Sequence, residues 1–464
     1  MTRRPSQPVS APCRAAPRRP RAPGTVLIVT LGILIVLTGL VLVLAHTMRI
    51  EGLCSANRLA ADQAAAVELG AIQYVIACVD GLGGQVPDAA DLQCDGVQVG
   101  NGAFWILCTD RDDDQTYAFG LTDEAGKINL NKASEEMLAK LPDMTVDVPA
   151  AILDWRDEDT ELTEGGAESE YYLLLPDPYD CKNAPFETVE ELLLVYLMTE
   201  DLLFGEDVNR NSILDENEND ADASDPIDNR DGYLDRGIYD LVTVYTHEPN
   251  VDDDGEQRVN VNQARGRELS DILDDAVSDD RLAEVMSRTM SGRPFKNILD
   301  FYLRSGLTNE EFLTIADHVT TDNAKTLEGR VNINTACREV LLCLPDLDEA
   351  DAAALIAARS DDEAEPGDVA WVADALPQEK AVAIGSYITI LSYQFSADIV
   401  SVSADGRAFR RCRIVVDAAE SPARLVYRQD LTHLGWPLSP DIISMLRAGE
   451  ALENVLASTY QETP

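Results

Sequence analysis

Histidine is scarce in this 464-residue chain. The four present, His46, His247, His318 and His433, are scattered, with no H-E-x-x-H pair to hold a catalytic zinc. There is no G-x-S-x-G nucleophile elbow and no phosphate-cradling G-x-x-x-x-G-K-[ST] loop. Nine cysteines occur without one C-x-x-C pair, which sets aside zinc ribbons and thioredoxin-like chemistry. Basic residues are few: 37 Lys and Arg stand against 83 Asp and Glu, a net charge of −46. That field repels nucleic acid and anionic lipid at long range, and it suits divalent cations or a basic partner. Most of these carboxylates read as solvated surface. With no catalytic constellation in sight, the chain reads as a structural or binding protein. A secreted, calcium-stabilised enzyme is disfavoured by the missing site.

What is present begins with a charge asymmetry. Residues 1–24 hold six arginines and no acid, and residues 25–45 (TVLIVTLGILIVLTGLVLVLA) hold no charge. At about 1.5 Å per residue this run spans a hydrocarbon core of roughly 30 Å. Arginines before it and an acidic body after it place 1–24 in the cytoplasm and the body outside. A cleaved secretory signal is the rival reading, but its apolar stretch would be shorter and would end at a small-x-small site. Here Ala56, Ala60, Ala64, Val67, Ala71, Tyr74 and Cys78 continue one stripe at three- and four-residue spacing. The expectation is one helix over 25–80, with a transmembrane half (25–45) and an amphipathic half (46–80).

Residues 81–101 are rich in Gly and Asp and read as a loop. Residues 102–109 and 115–121 read as a hairpin around Asp110–Asp114, and strand character returns over 386–428, with a turn at 404–407. Between them lies a mostly helical stretch. The order predicts an α+β sheet domain (81–126 with 386–430) interrupted by an inserted helical domain (127–385), then a tail (431–464) to which no role is given. An extracytoplasmic body permits disulfides, but spacing leaves their connectivity open; Cys94 with Cys108 is one possibility. Trp105 and Trp155 are expected in cores.

The helical part repeats itself. Residues 127–159 (KINLNKASEEMLAKLPDMTVDVPAAILDWRDED) match 330–362 (RVNINTACREVLLCLPDLDEADAAALIAARSDD), and a third copy starts at 258 with RVNVNQARGREL. The Asn after the short strand is expected to cap the first helix, and Leu-Pro-Asp to break it before a second. Each unit is then a helix-hairpin-helix. Hairpins that bind DNA use glycine to let backbone amides approach phosphate. Here the turns are acidic, in an acidic chain, so they are read as a scaffold for protein contacts, with no nucleic acid. A membrane-anchored DNA receptor of competence type is the rival, and a gel shift without salt-sensitive DNA binding would remove it.

One loop carries metal-ligand spacing. In DVNRNSILDENE, Asp207, Asn209, Asn211, Ile213 (backbone oxygen), Asp215 and Glu218 occupy positions 1, 3, 5, 7, 9 and 12 of a calcium loop, with Leu214 as the apolar anchor. Ser212 stands where glycine is usual. A second stretch fits from position 3: Asn229, Asp231, Gly232 and Asp235, with Ile227 at position 1 and Asp225 or Asp228 as substitutes. A third acidic turn, Asp252–Gly255, is a weaker candidate. Calcium would be structural, since clustered carboxylates repel until a cation neutralises them.

Several segments together resemble the K-type minor pseudopilins of type II secretion systems. They are the membrane helix, GKINLN (126–131), AILDWRDED (151–159), PYDCKNAPFETVEELLLVYLMT (178–199), YDLVTVYT (239–246) and GRVNINTA (329–336), in that order. The resemblance covers roughly residues 20–430. It implies a pilin-like α+β domain bearing a large all-helical insert that binds calcium. It implies cleavage by prepilin peptidase after Gly24, leaving Thr25 first and taking the net charge to −52. It implies other minor pseudopilins as partners at the pseudopilus tip, contact with the secretion system's inner-membrane platform, and no enzymatic activity. Most pilins carry Glu at mature position 5; here that position is Val29, a departure that the K type shares. The long Arg/Pro-rich leader and the extended tail depart from the family pattern.

Overall fold

The computed structural model describes residues 25–111, 113–221, 223–224, 226–274, 276–360 and 368–459. The leader, with Gly24 and the cleavage bond, lies outside them, as does Asp225. The chain divides into two compact units, 1–59 and 60–464. One helix, Thr25–Val79, supplies all that is described of the first unit and the opening element of the second. It is the one helix among the described residues long and apolar enough to cross a membrane. It carries no acid before Glu51.

In the second unit the helix buries Ala60, Ala64, Val67, Ala71, Ile72, Val75 and Val79. The expected stripe holds to Ala71 and then shifts by one position. Val75 and Val79 turn inward, while Tyr74 and Cys78 are only half-buried. The drift follows from a 3.6-residue turn, which a strict three-and-four pattern does not track over many turns. Glu68 is buried in the same stripe, where Arg428 (2.5 Å) and Arg410 (3.6 Å) pair with it.

The stripe packs on a seven-stranded antiparallel sheet. Its strands are β1 (Val97–Val99), β2 (Gly102–Cys108), β3 (Ala118–Phe119), β4 (Thr122–Asp123), β5 (Gln394–Val402), β6 (Phe409–Asp417) and β7 (Arg424–Asp430). The spatial order is β1-β2-β5-β6-β7, with β3 beside β2 and β4 beside β5. Thus β2 pairs with a strand from the far end of the chain, Ile106 opposite Ile399. The expected hairpin is present but short: only Leu107 and Cys108 pair with Phe119 and Ala118. The loop reading of 81–101 is corrected at β1, where Val97–Val99 joins the sheet edge opposite Gly102–Phe104.

Both faces of the sheet are covered, which is why β2 reads as an unbroken apolar run. Phe104 and Ile106 face the long helix. Ala103, Trp105 and Leu107 face the tail. Helices Pro440–Ala448 and Leu452–Thr459 lay Ile442, Leu446, Leu452 and Val455 on that second face. The tail, given no role from sequence, therefore closes the sheet.

The insert is not all-helical. Each repeat opens with a two-residue strand whose parallel partner lies far ahead. Ile128–Asn129 pairs with Val242–Thr243, Val259–Asn260 with Val319–Thr320, and Val331–Asn332 with Ile388–Thr389. An antiparallel pair, His247–Pro249 with Thr326–Glu328, is added. Two-residue strands with distant partners leave no periodic trace. One consequence is that Ile388–Thr389 belongs to the insert and not, as expected, to the main sheet.

The asparagines after the strands are not helix caps: Asn131 and Asn262 accept the amides of Phe186 and Phe295 (2.7 Å each) and donate back to their carbonyls (3.0 and 2.9 Å). Asn129, Asn260 and Asn332 each accept the amide of the residue two ahead through Oδ1, at 2.8, 2.8 and 2.9 Å. Through Nδ2 each donates to the residue three beyond the closing Thr: Thr246 Oγ1, Asn323 Oδ1 and Ser392 Oγ. They staple the strand to its partner, and Ser134 caps the first helix instead. Two short helices in contact follow the strand in two of these units, Glu135–Ala139 with Val148–Arg156 and Arg338–Cys343 with Glu349–Arg359. Asp143 and Asp346 hold the left-handed position in their turns. Trp105 and Trp155 are buried in cores. All eight described cysteines are unbridged, Cys94 and Cys108 included.

Candidate functional site

The expected calcium loops sit in the first repeat, between helix Glu200–Phe204 and the turn Tyr239–Leu241 that leads to its closing strand. Both loops follow one backbone path. Arg210 and Arg230, at position 4, have φ of 56° and 54°; Ser212 and Gly232, at position 6, have 62° and 85°. Ser212 thus adopts the glycine conformation despite its side chain. It is held there by Thr109 Oγ1 (3.0 Å) on its hydroxyl and Arg236 Nη2 (3.0 Å) on its carbonyl.

Side chains and amides repeat too. In the first loop the Asn211 amide donates to Asn209 Oδ1 (2.9 Å) and the Ile213 amide to Asn211 Oδ1 (2.8 Å). In the second, the Asp231 amide donates to Asn229 Oδ1 (2.8 Å) and the Tyr233 amide to Asp231 Oδ1 (2.9 Å). At position 1, Asp207 accepts the amides of Asn211 (3.0 Å) and Ser212 (2.9 Å). The second loop has no counterpart: Ile227 is exposed, and Asp228 spends its oxygens on the amides of Arg230 and Asp220.

The last acidic position is filled from two different places. In the first loop the Asp215 amide donates to Glu218 (3.1 Å), the expected position 12. In the second, the Asp235 amide donates to Glu206 (3.5 Å), and the Asn229 amide donates to it as well (3.0 Å). Sequence spacing missed Glu206, because it lies before the loop it completes. Its neighbour Asp207 opens the first loop, so the two loops are locked together.

The electrostatics ask for positive charge. Burial pushes the Asp207 carboxyl up to about 6 and Glu218 up to about 8, the latter raised further by Asp207 and Asp215 nearby. Burial, with Asp235 and Asp228 beside it, also raises Glu206. Glu218 Oε1 is buried with no hydrogen-bond partner. The Nδ2 groups of Asn209 (2.6 Å) and Asn211 (3.1 Å) both donate to Asp215 Oδ2. Among the described residues no three His, Cys, Asp or Glu side chains close on one point. A bound ion would therefore draw on the amide and backbone oxygens as well. That all-oxygen donor set, hard and flexible, fits calcium.

Arg411 fixes the first loop to the sheet. Fully buried on β6, it donates to the carbonyls of Asn209 (2.5 Å) and Arg210 (2.6 Å) and pairs with Asp398 on β5 (2.5 Å). Asn211 Nδ2 also donates to the Pro437 carbonyl, at the start of the tail (3.1 Å). The third acidic turn is a plain hydrogen-bonded turn, with Asp252 clipped to His318 (3.1 Å).

A long helix packed on an antiparallel sheet, with a large insert before the last strands, is an α+β pilin-like fold. Residues 126–204 match the family model described as type II secretion system (T2SS), protein K. The matched stretch contains GKINLN, AILDWRDED and PYDCKNAPFETVEELLLVYLMT, three of the segments on which the sequence resemblance rests. No curated protein matches the chain. Among solved structures, a chain of the GspK-GspI-GspJ complex from the enterotoxigenic Escherichia coli type 2 secretion system is similar. Its TM-score is 0.41 at 11% identity, over 82% of this chain and 98% of that one.

Proposed function

We propose that this chain is a non-enzymatic minor pseudopilin that caps the tip of a type II secretion pseudopilus and helps start its assembly. In this reading residues 1–24 lie in the cytoplasm, residues 25–45 cross the inner membrane, and the body lies in the periplasm. Prepilin peptidase cuts after Gly24, and Thr25 becomes the first residue. Its partners are other minor pseudopilins and the inner-membrane platform.

The observation that carries this reading is Val29 in a helix with no acid before Glu51. When pilin helices bundle in an apolar setting, an N-terminal amine needs a carboxylate to neutralise it. A subunit with Val29 offers none to a subunit above it, so it belongs where nothing stacks above. Two measurements test the reading. Mass spectrometry of the native N-terminus is expected to give Thr25; an intact Met1, or a start beyond residue 45, would refute peptidase processing. Val29→Glu is expected to fold normally but to lose tip placement and lower secretion. Unchanged placement and secretion would refute the tip role.

Calcium completes the proposal as a structural ion. Asp207, Asn209, Asn211, the Ile213 carbonyl, Asp215 and Glu218 would hold it in the first loop. Asn229, Asp231, Asp235 and Glu206, with Asp228 adjacent, would hold it in the second. Bound there, the ion neutralises carboxylates that burial otherwise penalises and fixes the loops against the sheet.

A further inference from the structure

The repeats align without a gap from Phe186 to Leu203 and from Phe295 to Phe312, and this exposes an anomaly. Thr199 falls on Thr308, both side-chain caps of the following helix. Leu197 then falls on Gly306, and both hold left-handed backbone, φ 65° and 76°. A bulky residue there is a conformational outlier where glycine is at ease. Leu197 is not kept for the core, since 45% of it is exposed.

It sits in an exposed apolar patch. Beyond the long helix, fifteen large apolar side chains of the described residues are exposed. Five of them, Tyr171, Leu173, Leu174, Leu194 and Leu197, lie on two short segments of the first repeat. The segments meet where Tyr171 packs on Tyr196, ring centroids 4.5 Å apart, and where Tyr179 Oη donates to the Leu194 carbonyl (2.8 Å). Leu174, 86% exposed, is among the most open. Residues 168–201, which carry the patch, hold one base and nine acids, of which six (Glu170, Asp177, Asp180, Glu187, Glu200 and Asp201) are exposed. That base, Lys182, is already paired with Glu191 at 2.7 Å.

We infer that this patch is a docking surface for a protein segment that presents apolar side chains between lysines and arginines. Apolar anchors inside a charged rim are the make-up of a protein interface, and the rim selects partners of opposite sign. A second copy of this chain is disfavoured, because each copy carries −46. Strain at Leu197 places a side chain in the patch that glycine would leave out.

The test uses the full chain in neutral-lipid nanodiscs and a fluorescent leucine–lysine amphipathic peptide, with a leucine–glutamate peptide as its counterpart. The leucine–lysine peptide alone is expected to bind. Leu197→Gly with Leu174→Ser is expected to weaken it about tenfold or more. Leu313→Ser, an exposed leucine elsewhere, is expected to leave binding unchanged. Leu197→Gly should not lower the unfolding midpoint, since Gly306 takes the same conformation, and Leu174→Ser alters only an open side chain. Equal binding by the double variant would overturn the proposal, reducing the attraction to diffuse charge. Binding of the leucine–glutamate peptide would overturn the role of the rim. Self-association abolished by the double variant would assign the patch to a second copy instead.

Discussion

The loops 207–218 and 227–238 share a backbone path and differ in where their acids come from. Each has an Asn at position 3 receiving the position-5 amide, and each has left-handed residues at positions 4 and 6. The first carries its own acids at both ends, Asp207 and Glu218. The second opens on exposed Ile227 and takes its last carboxylate from Glu206, outside its span. Loop geometry is therefore set by amide partners, and the carboxylate that accepts a loop amide can come from anywhere the fold delivers an acid. The loops also differ in anchorage: Arg411 ties only the first to the sheet.

The largest way to break this comparison is Arg411→Ala. It leaves Asp398 and two loop carbonyls without their buried partner, and breaking a buried pair costs about 3–5 kcal/mol. Denaturant unfolding should show a loss of that size, with the first loop's calcium response lost and the second loop's kept; equal loss in both would erase the asymmetry. Next, stripping calcium with a chelator should lower the melting temperature. Saturation at about a hundredfold excess over Kd is worth about 2.7 kcal/mol. No shift on adding calcium back would argue against metal in either loop. Glu206→Gln should abolish one class of bound ion in calorimetry while Glu218→Gln abolishes the other. A Glu206→Gln chain that binds like wild type would return the second loop to a plain turn.

A pH scan separates the loops from another attachment of the insert. His247 meets Asp417 on β6 at 3.4 Å, and this contact raises the histidine and lowers the aspartate. The raised His247 stabilises below its unfolded value of about 6.5, and the contribution is lost as pH rises through the folded one. The lowered Asp417 stabilises above about 3.9, and that is lost as pH falls through its folded value. Stability of wild type minus His247→Gln should therefore peak between about pH 4 and 6.5. A flat difference would dismiss the clip. The smallest effect is expected from Ser212→Gly. It relieves a left-handed serine but loses the Thr109 contact, so the unfolding free energy should move by less than about 1 kcal/mol.

Legibility in the sequence follows the range of the interaction. The long helix and strands β2, β5 and β6 were plain, because their apolar runs are local. The turn of the first loop is plain, because the side chains that hold its amides lie within twelve consecutive residues. Glu206 was hidden, since nothing local ties it to Asn229 and Asp235. The ladders of the insert were hidden because two residues carry no period and their partners are remote. The tail helices show no role in the sequence, because the face they cover is built by strands far from them in the chain. Only half of the repeat is visible in the sequence: its closing strand, which pairs Asn129 with Thr243 and Asn332 with Thr389, exists only in space.

The pairing of β2 with β5 also dictates when this molecule can finish folding. β2 ends at Cys108 and β5 begins at Gln394, so the chain between must emerge before the central ladder can close. The insert carries its own core and can collapse first, shortening the loop that closure must restrict. Until then β2, paired only with the short strands β1 and β3, waits with its other edge open, the kind of apolar edge that recruits other chains. A truncated product ending before residue 394 would hold a folded insert beside an open strand. Such a chain invites degradation or aggregation, and quality control acting on it would select for completed molecules.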